Sequence, residues 1–223
     1  MKIYGRHAAL EALNNPYRVI SEIWIDDIEI LPPVFRSKNI HITNISKQFP
    51  KFQNPQGIVI ETEPLKAPNL DDLTWQVVIL DQVTDPQNLG AVVRSAAVLG
   101  IQAIITQDYQ GLLDSSVMAR VASGGLEHVG IIPVVNIGRT IEALKKNGYW
   151  SYGFTGDGNH TLHKTRFEKK SALVIGAEDK GIRPLVLEKC DFLVKIQSQP
   201  NFSVLNASHA ASIAIYEATR QCF

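Results

Sequence analysis

Apolar positions recur along this chain in two rhythms, and the change from one to the other divides it near residue 63. In the first stretch, GRHAALEALNN sets Ala9, Leu10 and Leu13 on one stripe, the spacing of a helix. Asn14-Asn15-Pro16 ends it, because proline lacks the amide hydrogen that would continue the ladder. SEIWIDDI, NIHITNI and QGIVIETE alternate apolar and polar residues and predict three short, half-buried strands. A helix between the first two has little room, since Pro32-Pro33 lies there. TEPLKAPNLDD carries two prolines and few large apolar side chains, the composition of a linker.

From residue 74 alternation gives way to continuous apolar runs. TWQVVILD predicts a strand buried on both faces. A helix-like segment follows, then the strand QAIITQ, the helix LLDSSVMARVA and the strand VGIIPVVN. Residues 139–147 read as helix and YWSYGFT as strand. SALVIGAE and FLVKIQ are the last strands, and residues 203–221 the last helix. Strands alternating with helices predict an α/β fold, a mainly parallel sheet with helices on both faces. The expected organisation is a small α+β domain over 1–63, a linker over 64–73 and the α/β domain over 74–223.

Composition narrows the class. The 223 residues are 45% hydrophobic and 20% charged, values that exclude a fibrous, collagen-like or largely disordered chain. No apolar run approaches the roughly 18 residues of a membrane span. Glu11 interrupts the apolar opening, so no signal peptide is expected there. Two cysteines, Cys190 and Cys222, cannot staple a chain of this length, and a reducing, cytoplasmic setting is the natural expectation.

Lysine plus arginine and aspartate plus glutamate both number 22, so the formal net charge is zero, which counts against a strongly basic nucleic-acid protein. The balance is uneven, however. Residues 67–138 hold 2 basic against 7 acidic side chains, and residues 139–170 hold 7 against 3. Neutrality therefore leaves room for RNA binding through a few placed cations, and solvated surface is the alternative reading of the same counts.

Three polar turns follow predicted strand ends, where parallel sheets collect ligands. In DQVTDPQNLGAVVRSAAVLG, Asp85-Pro86 opens a helix, Asn88 sits at its mouth, and Arg94, six residues on, projects from another face. In LVIGAEDKGIRP the strand runs into Gly176, Glu178 and Gly181, with Pro184 suited to start a helix. In KIQSQPNFSVLNASHAASIAIYE, Asn206 and Ser208 fall in the first turns of the last helix. Taken singly, each is also an ordinary capping or strand-to-helix turn. His160 and His163 lack further ligands at zinc spacing, and no metal site is expected. Dinucleotide fingerprint, P-loop, nucleophile elbow and HExxH are absent from the sequence.

In this order, Asn88-x-Gly90-x-x-x-Arg94, Gly176-Ala-Glu178-x-x-Gly181, and Leu205-Asn206-x-Ser208 with Tyr216-Glu217 resemble the motifs of the SpoU (TrmH-like) RNA ribose 2′-O-methyltransferases. The resemblance covers about residues 74–221. YGRHAALEAL and PQGIVIE look like the two ends of the small ribosomal-protein-L30-like domain that often precedes the catalytic part, here short. The resemblance implies a C-terminal deep trefoil knot, S-adenosylmethionine as cofactor, a homodimer, and a ribose in structured RNA as substrate, with a guanosine of large-subunit ribosomal RNA preferred over tRNA. It implies a catalytic set of Asn88, Arg94, Glu178 and Asn206, and cofactor contacts from Gly176, Ile196 and Leu205. Arg6, Arg120, Lys145 and Lys146 are the expected RNA contacts, with His7 a further candidate.

The third motif departs from the family pattern. Gln197 and Ser198 stand where proline and methionine are usual, Pro200 where glycine is, and Val204 where a serine precedes Leu205. Asp179 and His209 are unusual as well. These changes leave open a non-catalytic RNA-binding or assembly factor of the same fold as the alternative to an active enzyme.

Overall fold

The apolar runs become strands, and their alternation decides which layer each side chain enters. The computed structural model describes residues 1–35, 40–107, 111–199 and 204–222. The first part holds β1 (Lys2–Tyr4), α1 (Arg6–Asn14), β2 (Ile20–Ile25), β3 (Ile40–Ile42), α2 (Ile45–Gln48) and β4 (Ile58–Thr62). Its sheet runs β1-β4-β2-β3, with β4 antiparallel to both neighbours and β3 parallel to β2. Ile3, Ile23, Ile25, Ile58 and Ile60 share a buried cluster with Ala8, Ala9, Ala12 and Leu13 of α1. Tyr4 and Val59 lie in a separate small cluster with Trp24, Ile45, Phe49 and Phe52. Between β2 and β3, single 3-10 turns at Ile28–Ile30 and Pro33–Phe35 take the place of a helix. The prolines account for this.

The second part comprises β5 (Val77–Asp81), α3 (Pro86–Val98), β6 (Ala103–Thr106), α4 (Ser116–Ala122), β7 (Gly130–Pro133), α5 (Ile137–Lys146), β8 (Trp150–Phe154), β9 (His160–Thr161), β10 (Ser171–Gly176), α6 (Pro184–Leu187), β11 (Phe192–Lys195) and α7 (Ala207–Arg220). The sheet order is β7-β6-β5-β10-β8-β11-β9, and every pairing is parallel. Val77, Ile79, Ala172 and Val174 pack with Ile137, Ile141 and Leu144 of α5 and Val186 of α6. Val78, Leu80, Leu173 and Ile175 point the other way, into the cluster formed with α3, α4 and α7. Both faces are thus covered, as continuous apolar strands require.

Two close approaches fix these layers. A Cβ on Gly90 would lie 2.6 Å from the Met118 carbonyl oxygen, so α3 and α4 touch backbone to backbone only because this residue is glycine. Across the two parts, a Cβ on Gly124 would meet Glu11 Cγ at 2.6 Å. The Arg18–Glu127 ion pair also spans the parts, with side chains only 2% and 4% exposed. Arg18 Nη1 donates to the Glu63 carbonyl, and Asn15 Nδ2 donates to Glu127. Among the described residues, no helix is long and apolar enough to cross a membrane.

Candidate functional site

Chain order reverses between β5 and β10. From β5 the chain steps to β6 and β7 on one side, whereas from β10 it passes through α6 to β11 on the other. Such a switch point opens a crevice beyond the strands' carboxyl ends. Asp81 and Gly176 are register partners there.

Three sequence-predicted residues converge on this point. Asp85 caps α3, accepting from the amides of Gln87 and Asn88, with Pro86 preset for the first turn. That cap places Asn88 at the helix mouth. Glu178 stands in the turn after β10. Here a Cβ on Gly176 would fall 2.0 Å from the Gly181 carbonyl carbon, and Gly181 adopts φ +63°. Gly176 leaves no room for a side chain in this turn, and Gly181 takes its left-handed conformation without steric cost. Asn206 caps α7, and its Oδ1 accepts from the Ser208 amide (2.8 Å) and hydroxyl (2.6 Å). With Oδ1 so engaged, Nδ2 faces the crevice and donates to Asn88 Oδ1 at 2.9 Å and to Glu178 Oε2 at 3.0 Å.

Asn88, Glu178 and Asn206 therefore form one hydrogen-bonded group drawn from three turns. Asn88 and Glu178 line a cleft of about 290 Å³ together with Thr84, Asp85, Asp179 and Ala207. Gln82, on its wall, holds φ +60°, a left-handed conformation that side-chain-bearing residues adopt mainly where the surroundings enforce it. Leu205 is 38% and Val204 65% exposed beside Asn206, and Ile196 is half-buried against the main core. Gly176 closes the turn beneath Glu178. The altered residues Gln197, Ser198 and Asp179 are exposed, while Pro200 lies outside the described residues.

Arg94 is not in this group. Six residues along α3 carry it about 9 Å down the helix and onto another face, where it is exposed in a different groove with His7, Glu11 and His128. Glu217 is likewise remote: near the end of α7, its carboxylate is held below its usual pKa by the hydrogen bond from Arg220. Lys145 and Lys146 end α5, at the amino edge of the sheet and away from the crevice, and Lys145 is paired there with Asp191 at 2.7 Å. Arg6 begins α1, its amide donating to Gln56. Arg120 lies on α4, its guanidinium 5.4 Å from the Tyr4 ring centre. Among the described residues no cluster of three or more potential metal ligands occurs.

Sequence reasoning passed over the pair beneath the site. Asp81, wholly buried, accepts from the Arg183 amide (2.9 Å) and Nε (2.9 Å), and Arg183 Nη2 also donates to Gln107. This ties the 177–183 turn to the end of β5. The available signal was an aspartate ending the run VVIL, since a carboxylate buried at a strand end needs a partner.

The SpoU rRNA Methylase family model matches residues 75–216. An uncharacterized tRNA/rRNA methyltransferase of Synechocystis sp. is 32% identical, the match covering 98% of this chain but only 62% of that protein. The 23S rRNA (guanosine-2′-O-)-methyltransferase RlmB of Vibrio cholerae is 36% identical, with 98% of this chain and 96% of that protein covered. In fold, the SpoU methyltransferase AviRb from Streptomyces viridochromogenes, solved with AdoMet, superposes with a TM-score of 0.86 at 21% identity, over 100% of this chain and 90% of that one. By the family match and by the Vibrio cholerae relative, the chain belongs to the SpoU rRNA methylase family.

Proposed function

We propose that this protein methylates the 2′-hydroxyl of a ribose, a guanosine of large-subunit ribosomal RNA, from S-adenosylmethionine. The observation that carries this reading is the Asn88–Glu178–Asn206 group at the carboxyl ends of β5 and β10, in a chain whose relative from Vibrio cholerae is named for that reaction. The exposed apolar side chains of Leu205 and Val204, set against this polar group, suit an adenosyl ligand. When bound, the cofactor supplies an electrophilic sulfonium methyl.

The chain's own residues supply placement and proton handling. Glu178 offers a carboxylate oxygen to the ribose hydroxyl. Asn88, whose Oδ1 is engaged by Asn206, keeps its Nδ2 to donate toward the oxygen that gains charge. Asn206 fixes both partners, which limits reorganisation as the reaction proceeds. Arg94 binds the RNA phosphate or the ribose oxygen and polarises it.

We further propose a homodimer. Val98, Ile213 and Tyr216 are 79%, 38% and 58% exposed on α3 and α7, two helices joined by the Ser95–Ser212 hydrogen bond. Pairing through this face gives Arg94 a way to serve a cleft that it does not line in its own chain. A trefoil knot at the C-terminal end, a small L30-like RNA-binding domain over 1–63 and a cytoplasmic site of action belong to the same reading. In the test, purified protein, labelled S-adenosylmethionine and a 23S rRNA transcript are combined and ribose methylation is mapped. Methyl transfer to one guanosine that Arg94→Ala abolishes is expected. Undiminished single-turnover methylation by that variant removes Arg94 from the mechanism, and no transfer by the wild type to ribosomal or transfer RNA overturns the enzyme reading.

A further inference from the structure

Residues 67–138 carry seven acidic side chains and only two basic ones, Arg94 and Arg120. The fold brings both arginines to the seam where the first part meets the second. Arg94 lines a groove of about 360 Å³ with His7 and Glu11 of α1 and Ser123, Gly124 and His128 behind α4. Arg120 stands beside the start of α1, its Cγ 3.7 Å from the place a Cβ on Gly5 would occupy. Neither guanidinium has a hydrogen bond or ion pair among the described residues. Glu11 is the one carboxylate among the described residues lining the groove, and its Oε2 lies 3.3 Å from His128 Nε2.

Arg94 is exposed and Arg120 half-buried against the Tyr4 ring, and neither has a carboxylate partner among the described residues, so both can meet an anion arriving from solvent. Guanidinium forks match phosphate oxygens, and the exposed His7 imidazole has an N–H to donate, while that of His128 is shared with Glu11 Oε2 at 3.3 Å. Lys145, by contrast, already has a carboxylate partner at the far edge of the sheet.

We propose that the seam between α1 and the α3–α4 pair is a track for the RNA phosphate backbone, in which Arg120, His7 and His128 hold the strand that reaches Arg94. The inference rests on the reading of RNA as substrate. It makes the docking of the first part onto the second a condition for RNA placement, because His7 and Arg94 come from different parts. The three flanking residues are positioning residues, touching phosphate rather than the reacting ribose.

The test measures binding of a 23S rRNA transcript as a function of salt, together with steady-state methylation, for His7→Ala, His128→Ala, Arg120→Gln and Arg120→Lys. Arg120→Gln is expected to weaken RNA binding several-fold and to lower the slope of log affinity against log salt by about 1. His7→Ala and His128→Ala are expected to raise the KM for RNA about 3-fold or more, leaving kcat at saturating RNA and cofactor affinity unchanged. Arg120→Lys is expected to keep the wild-type slope. Unchanged cofactor affinity certifies a folded variant. Unaltered RNA affinity and slope in Arg120→Gln and His7→Ala overturn the track, even where the wild type methylates. A wild type that binds RNA with the predicted slope changes but transfers no methyl overturns the enzyme reading and leaves the track standing.

Discussion

At the scale of the residue, one side-chain amide decides the geometry of the site. Asn206 uses Oδ1 for the cap of α7 and Nδ2 for Asn88 and Glu178, so its two halves can be separated by substitution. Asn206→Asp keeps the capping oxygen but loses both donated hydrogen bonds and sets a carboxylate against Glu178. Stability close to wild type is expected, with single-turnover methyl transfer down about 100-fold, the usual scale for removing a preorganised donor. Asn206→Ala loses the cap too, at about 1 kcal/mol. Equal rates for Asn206→Asp and wild type would show that the amide only caps the helix. Cys190 is a second residue whose surroundings set its chemistry. Burial pushes its thiol up to about 12, and Sγ donates to the Val186 carbonyl. Iodoacetamide at pH 8 is therefore expected to spare Cys190 in the folded protein and to label it only on denaturation, as mass spectrometry of the peptides would reveal. Asn88, Glu178 and Asn206 were singled out by motifs that resemble a family's, and the fold brings the three together. The same resemblance put Arg94 with them, whereas it lines a different groove, because six residues along a helix turn a side chain onto another face. The Asp81–Arg183 pair was not legible, because its partners are 102 positions apart and meet only through the β5–β10 register.

At the scale of the element, continuous apolar runs announced β5 and β10, whose residues are all buried. The elements that pattern could not reveal are short. β1 has three residues and β9 has two, and each owes its existence to pairing with a distant strand, β4 or β11. A run this brief carries no period to read. Packing between elements is as exacting as the pattern is permissive. Gly90→Ala forces α3 away from α4 at the Met118 carbonyl, and about 1–3 kcal/mol of destabilisation is expected from such overpacking, measured by denaturant unfolding. At the amino edge of the sheet, Asp191 joins the start of β8 to α5 by accepting from the Ser151 amide and hydroxyl and from Lys145. Burial raises its carboxyl, but the Lys145 and Ser151 hydrogen bonds outweigh this and hold it below the ordinary 3.8. A pKa depressed on folding stabilises above the unfolded value, and that stabilisation is lost as pH falls through the folded one. Asp191→Asn should therefore be less stable than wild type at pH 7, and the difference should shrink below about pH 3.8, as unfolding at a series of pH values would reveal.

At the scale of the whole molecule, nothing in the sequence shows how firmly the parts that carry the two sheets are joined. Arg18 and Glu127 lie 109 positions apart, and nothing in local pattern pairs them. In the fold they are the charged centre of the contact, with the Glu63 carbonyl and Asn15 satisfying further groups. A charge buried this deeply is tolerable only with its partner, so removing one side should cost about 3–5 kcal/mol, whereas replacing both with apolar residues of similar volume is often neutral. Glu127→Ala is therefore expected to uncouple the parts: the first unfolds at lower temperature than the second, where wild type unfolds in one step. Trp24 reports on the first part, and Trp75 and Trp150 on the second, so fluorescence of variants keeping a tryptophan in one part only separates the transitions. The double change Arg18→Met with Glu127→Leu should bring them back together. A single coincident transition in Glu127→Ala, at the wild-type temperature, would mean that the apolar cluster shared by both parts holds them without the ion pair. If the pair does hold them, Glu127→Ala should also loosen α1, and with it His7, from the groove that contains Arg94. RNA affinity should then fall although no residue facing the RNA has changed.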